Sequence, residues 1–191
     1  MSLSSSEFLD FLSYIKESNR IGKIVLLGDG SVGKTTIIQS IINRKVERTK
    51  RTPFMNCEVI KYDNLEVQVY DLSGQRTKEF HPLDVLTKQI VSLLDIIILV
   101  FSVDNYQSFE NIYVWFKEIK ELAEKVNPSP NFILVGNKID SGETFNLKVV
   151  EQIVENNKEF VNYLETSGTE GTGLEALNDS ICEIVTKRLE K

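Results

Sequence analysis

The stretch Gly28-Asp29-Gly30-Ser31-Val32-Gly33-Lys34-Thr35 decides how this chain is read. Its spacing, G-x-x-x-x-G-K-[ST], is that of a loop that wraps a phosphate. Glycines let the backbone turn tightly enough for successive N–H groups to face phosphate oxygens, and they accept positive φ at no steric cost. Lys34 adds a point charge that reaches the β- and γ-phosphates, and the Thr35 hydroxyl is of the type that ligates Mg²⁺. The candidates for holding phosphate are therefore Asp29, Gly30, Ser31, Val32, Gly33, Lys34, Thr35 and Thr36. Upstream, residues 21–27 read as a buried strand; downstream, residues 36–42 read as a helix whose N-terminus faces the phosphates. Strand, glycine loop and helix together are the context the motif requires.

The rest of the chain repeats that alternation. Residues 56–62 and 65–71 are two strand-like runs joined at Asp63-Asn64, an expected antiparallel hairpin. A polar loop and a helix follow over 75–90, around Pro82. Residues 94–103, 132–135 and 160–165 read as further strands. Helices are expected at 106–126, with Phe109, Ile112, Val114, Phe116, Ile119 and Leu122 as the apolar stripe, at 147–156 and at 174–189. The expectation is an α/β fold: a mostly parallel six-stranded sheet with helices on both faces and one antiparallel edge strand. Residues 44–51 read as a polar, mostly basic loop. Residues 1–20 form a separate extension, with Phe8, Phe11, Leu12 and Ile15 at helical spacing and Ser6 as a cap. We read it as an amphipathic helix packed on the domain at 21–191; the alternative is a movable element making weak membrane or partner contact.

Composition narrows the function. The 191 residues carry a formal charge of −6, which disfavours a general nucleic-acid binder. Cys57 and Cys182 lack metal-type spacing and read as reduced thiols. The longest apolar run, 96–101, is too short to span a bilayer, and neither a secretory nor a lipidation signal is evident. A cytoplasmic, monomeric protein, with peripheral membrane contact at most, is the expectation.

Two further motifs fall at strand ends, where ligands bind in such sheets. In Asp71-Leu72-Ser73-Gly74-Gln75, the carboxylate can reach a metal's water shell, Gly74 can offer an unobstructed N–H to a γ-phosphate, and Gln75 can orient a water for in-line attack. In Asn137-Lys138-Ile139-Asp140, one carboxylate can accept both the N1–H and the 2-amino group of guanine, whereas adenine presents an acceptor at N1. The Lys138 stem can cover the base, and Asn137 can tie this loop to the phosphate loop. The run Glu165-Thr166-Ser167-Gly168 can add a backbone N–H to the guanine carbonyl.

On these motifs the chain resembles a small GTPase of the Ras superfamily over residues 21–189. The resemblance implies the P-loop NTPase fold. It implies a switch that binds GTP or GDP with Mg²⁺, hydrolyses GTP slowly alone, and works with an exchange factor, a GTPase-activating protein and effectors in membrane traffic or signalling. Carried residue by residue, it gives Gln75, Lys34 and Gly74 to catalysis, Asn137, Lys138, Asp140, Ser167 and Gly168 to the base, and Thr35, Thr52 and Asp71 to the metal. Gly30 is placed to admit Gln75 and a partner's arginine. Gly168 departs from the alanine usual there. Thr52-Pro53-Phe54-Met55-Asn56-Cys57-Glu58 and the spacing from Thr52 to Asp71 resemble the Arf group, whereas Thr49 would suit the longer Ras and Rab spacing. Phe54, Met55 and Tyr70 depart from the Arf pattern, and residues 102–109 look more like Rab or Ras. The Arf-like reading implies that the 56–71 hairpin slides and displaces residues 1–18 in the GTP state. Two other classes compete: a GTP-loaded scaffold with negligible turnover, and a P-loop kinase or ATPase, which Asp140 disfavours.

Overall fold

The computed structural model describes residues 21–42, 55–62, 65–75, 81–142 and 144–190. Thr49, Thr52 and the N-terminal extension lie outside them.

The sheet is built around two buried strands. β1 (Gly22–Leu27) and β4 (Ile96–Ser102) are buried at every position, as continuous apolar runs must be when both sheet faces are covered. β3 (Leu65–Leu72) lies beside β1, and β5 (Asn131–Asn137) and β6 (Phe160–Thr166) extend the sheet beyond β4. The spatial order is β2-β3-β1-β4-β5-β6. All neighbours are parallel except β2 (Met55–Tyr62), which pairs antiparallel with β3 from Met55↔Leu72 to Tyr62↔Leu65. β2 is the half-exposed edge. The sheet is the expected one: α/β, six-stranded and mostly parallel, with one antiparallel edge strand.

Two cores cover its faces. On one, α3 (Tyr106–Ala123) packs Phe109, Ile112, Trp115, Phe116 and Ile119 against Leu99, Phe101 and Phe132. On the other, α1 (Lys34–Ile41) and α5 (Leu174–Leu189) pack Ile37, Leu177, Ile181 and Val185 over Ile24, Ile98 and Ile133. A short α2 (Lys88–Val91) and α4 (Lys148–Asn156) complete the layers. The stripe of α3 differs from its sequence reading at one place. Val114 is 39% exposed and Trp115 is fully buried, because the helix turns its 108–109–112–115–116–119 face to the sheet. The region 75–90 holds a 3₁₀ turn, Pro82–Val85, and the four-residue α2 rather than one longer helix. The proline starts that turn at its first position, where its missing N–H costs nothing.

Strand register brings the motifs together. Leu26, two residues before Gly28, is paired with Asp71; Ser102 is paired with Asn137; Asn137 is paired with Thr166. Every one of these strands points its carboxyl end the same way, so the loops after β1, β3, β5 and β6 form a single edge. The opposite edge is closed by Asp95, which accepts from the Lys23 N–H at 2.8 Å and lies 3.2 Å from Arg188 Nε.

Candidate active site

The phosphate loop leaves β1 at Gly28 (φ 140°) and enters α1 at Gly33 (φ 97°). A Cβ on Gly28 would meet the Val100 carbonyl at 2.0 Å, so any side chain would drive the loop off β4. Gly33 caps α1 without a side-chain acceptor, which leaves the amides of the first turn aimed at the loop. Open N–H groups plus the helix dipole make an anion site. Lys34 is 6% exposed, and its ammonium donates to the carbonyls of Gly28 and Asp29, both at 2.8 Å. Burial lowers its pKa to about 8, with Asp71 and Asp29 pulling the other way.

The Thr35 hydroxyl donates to Asp71 Oδ2, and Asp71 is 1% exposed at the end of β3. Two hard oxygen donors, thirty-six residues apart, converge beside the phosphate loop. No group of three His, Cys, Asp or Glu side chains suited to a metal occurs among the described residues. A hydroxyl and a carboxylate fit Mg²⁺, which uses one or two protein oxygens with water and phosphate, better than a metal that prefers thiolate or imidazole.

Gly74 is seated directly on the phosphate loop. A Cβ there would fall 2.2 Å from the Asp29 carbonyl carbon and 2.4 Å from the Gly30 nitrogen. Gln75 follows, exposed, its N–H bonded to Ser73 Oγ at 3.3 Å. A Cβ on Gly30 would lie 3.5 Å from Gln75 Cγ, an ordinary contact. A methyl group therefore fits between the two; only a longer side chain at 30 would displace Gln75.

Asn137 ties the base side together. It is 1% exposed; its Nδ2 donates to the Val32 carbonyl at 2.9 Å, while its Oδ1 accepts from Thr166 Oγ1 and the Gly168 N–H, each at 3.0 Å. The amide fills the space that a Cβ on Gly33 would take, at 2.2 Å. One side chain thus joins loops whose sequence separation exceeds a hundred residues. Lys138 adopts a left-handed backbone (φ 69°, ψ 38°), and its ammonium is 3.7 Å from Asp104. Asp140 accepts from Thr169 Oγ1 at 3.0 Å. Hydrogen bonding from Ser167, then Thr169, holds its carboxyl below the usual range, with a smaller pull from Lys138. The site therefore presents an anionic acceptor for a pair of N–H donors.

Gly168 has a local reason for not being alanine. A Cβ there would come within 3.1 Å of both Ile37 N and Thr36 Cγ2, so the glycine admits the branched Thr36.

Four site residues escape the motif reading: Asp104, Asn111, Trp115 and Thr169. Thr169 follows the 165–168 run directly, and Asp104 falls within residues 102–109. Asn111 and Trp115 lie in the middle of a helix with no local signal.

Comparison with known proteins places the chain. The model of the Ras family matches residues 23–187. Ras-related protein RABG3f of Arabidopsis thaliana is 30% identical over 178 residues, covering 88% of this chain and 84% of the relative. Ras-related protein Rab7 of Cenchrus ciliaris is 32% identical over 163 residues, covering 80% and 76%. Ras-related protein Rab-9A of Homo sapiens is 30% identical over 161 residues, covering 81% and 77%. Rab-type proteins recur among the relatives, which matches the Rab and Ras look of residues 102–109. The family match spans most of the chain and takes in the glycine loop, the part-buried Thr35–Asp71 pair and Asp140: this chain is a member of the Ras family of small GTPases, a GTP-binding switch that binds GTP and GDP and hydrolyses GTP to GDP.

Proposed function

We propose that the individual residues divide the work as follows, in a switch of membrane traffic. The amides of residues 29–36 hold the β- and γ-phosphates. Lys34 leaves its two carbonyls to neutralise phosphate charge. Thr35 and Asp71 would hold Mg²⁺ directly or through water, and Thr52 would join them in the GTP state. Bound there, the metal would supply positive charge against the charge on the phosphates. Gly74 donates its N–H toward the γ-phosphate, and Gln75 orients the attacking water. Asp140 reads guanine, Lys138 covers it, and the Ser167-Gly168 run adds a backbone N–H toward the guanine carbonyl. The observation that carries this assignment is the Asn137 side chain, which binds Val32, Thr166 and Gly168 at once. Three motifs read separately thereby share one site.

Hydrolysis in such a site is mostly positioning and electrostatics, so turnover alone is slow, on the order of 10⁻⁴–10⁻² per second. No arginine lies within the phosphate loop, and an activating protein's arginine is the complement. The Rab-type relatives support membrane traffic as the setting. Among the described residues no helix is long and apolar enough to cross a membrane. Contact with the bilayer is then peripheral, through residues 1–20, by a monomer that meets exchange factors and effectors as it cycles.

Chromatography of the bound nucleotide and single-turnover GTP hydrolysis test this reading. The purified protein should carry GDP or GTP, and ATP should fail to displace either. Gln75→Leu should bind GTP like the wild type and lose hydrolysis stimulated by an activating protein. Equal competition by ATP would remove Asp140 from base selection, an unchanged stimulated rate would remove Gln75 from the reaction, and GTP held with no phosphate release would leave a binding module.

A further inference from the structure

Asp29 places a carboxylate in the phosphate loop, where its charge repels the polyphosphate the loop must hold. Its side chain does not float. Asn111 Nδ2 donates to Asp29 Oδ2 at 2.6 Å, and Trp115 Nε1 donates to Asp29 Oδ1 at 2.8 Å. The two donors stand four residues apart on α3, hence on one helix face, and each takes one carboxylate oxygen. Trp115 is 0% exposed and is braced in turn: the His81 ring lies 5.9 Å away at 37°, with His81 Nε2 3.5 Å from Glu118.

The same residue is a mechanical junction. Its carbonyl accepts from the Lys34 ammonium at 2.8 Å, and Gly74 packs on its peptide so closely that no Cβ would fit. Whatever fixes the Asp29 side chain fixes the peptide against which both Lys34 and Gly74 rest.

We propose that Asn111 and Trp115 are positioning residues of the nucleotide site. They hold the Asp29 carboxylate against α3, off the phosphate path, and so set the height of the loop beneath Lys34 and Gly74. The assignment rests on reading residues 28–35 as the phosphate site. It adds a third wall to that site, from a helix that carries none of the nucleotide motifs.

The test follows release of a fluorescent GDP, mant-GDP, from wild type, Asn111→Leu, Trp115→Phe, Asp29→Ala and the double variant Asp29→Ala/Trp115→Phe, with thermal unfolding in parallel. Loss of one charge-assisted hydrogen bond should speed release about tenfold in Asn111→Leu and in Trp115→Phe. Tyr113→Ala, on the exposed side of the same helix at 69%, should release at the wild-type rate. The double variant should be no faster than Asp29→Ala alone, since the indole N–H then has no carboxylate to hold. A merely structural tryptophan would lower the unfolding temperature and add its effect to that of Asp29→Ala. Release within about twofold of wild type in both single α3 variants, or full additivity in the double variant, overturns the proposal. If Trp115→Phe fails to fold, Asn111→Leu with Asp29→Ala/Asn111→Leu decides on the same terms. Wild type failing to retain mant-GDP would instead overturn the phosphate-site reading itself.

Discussion

The two halves of the nucleotide site proposed above are built by different means. On the base side, Asn137, Thr166 and Ser167 are almost wholly buried, and Asn137 alone makes three hydrogen bonds of 2.9–3.0 Å to two other loops. Such a network is satisfied within the protein and has one geometry. On the γ-phosphate side, Gln75 is exposed, its backbone makes a 3.3 Å bond to Ser73, and Gly74 is held by close packing on Asp29 and Gly30. Lys34 rests on carbonyls that any phosphate can outbid. A switch needs this asymmetry. The base half must grip either nucleotide alike, while the γ half must have two arrangements that differ little in free energy, so that one phosphate group can select between them.

The contrast can be broken from its rigid side with the largest effect. Asn137→Ala leaves the Val32 carbonyl, the Thr166 hydroxyl and the Gly168 N–H without this partner. At about 1 kcal/mol or more for each, GDP and GTP affinities should both fall by about a hundredfold or more, to the same extent. Isothermal titration with each nucleotide checks this, and a loss confined to GTP would mean that the base half is part of the switch.

Breaking the γ-phosphate side should separate the nucleotides. In Gly74→Ala the added methyl meets the Asp29–Gly30 backbone at 2.2–2.4 Å and lifts the loop after β3 away. Single-turnover hydrolysis should drop by about tenfold or more, as when one transition-state donor is lost, while GDP affinity stays within a few-fold. A parallel loss of GDP affinity would show that the phosphate loop itself had moved.

The smallest effect sharpens the comparison at the seam between base loop and α1. Gly168→Ala asks Thr36 or the helix backbone to give by a few tenths of an ångström. It should cost about 1 kcal/mol of unfolding stability or less, with a few-fold faster GDP release. Thr36→Ser in the same background should recover most of both, since it removes the methyl at 3.1 Å. No recovery would place the strain on Ile37 N instead.

Much of this was legible in the chain alone, because the signals are local. A buried parallel strand is a continuous apolar run, so β1 and β4 announce themselves. The phosphate and base loops depend on backbone conformation and on short spacings: Gly28, Gly33 and Lys34 stand within one short run, and Asp140 within another that starts at Asn137. The hairpin of β2 and β3 follows from two strand-like runs separated by two residues. What no spacing conveys is which distant side chains meet. Asn111 and Trp115 reach Asp29 across more than eighty residues, by way of a helix whose rotation is set by packing on Phe101 and Phe132. That rotation buries Trp115 and exposes Val114, a choice the apolar pattern of α3 leaves open because both neighbours are hydrophobic. The glycine at 168 likewise has its reason in Thr36, a residue of another element. Local backbone chemistry is written in adjacent residues; the orientation of a helix, and every hydrogen bond that depends on it, is decided only when the sheet and its covering layers pack.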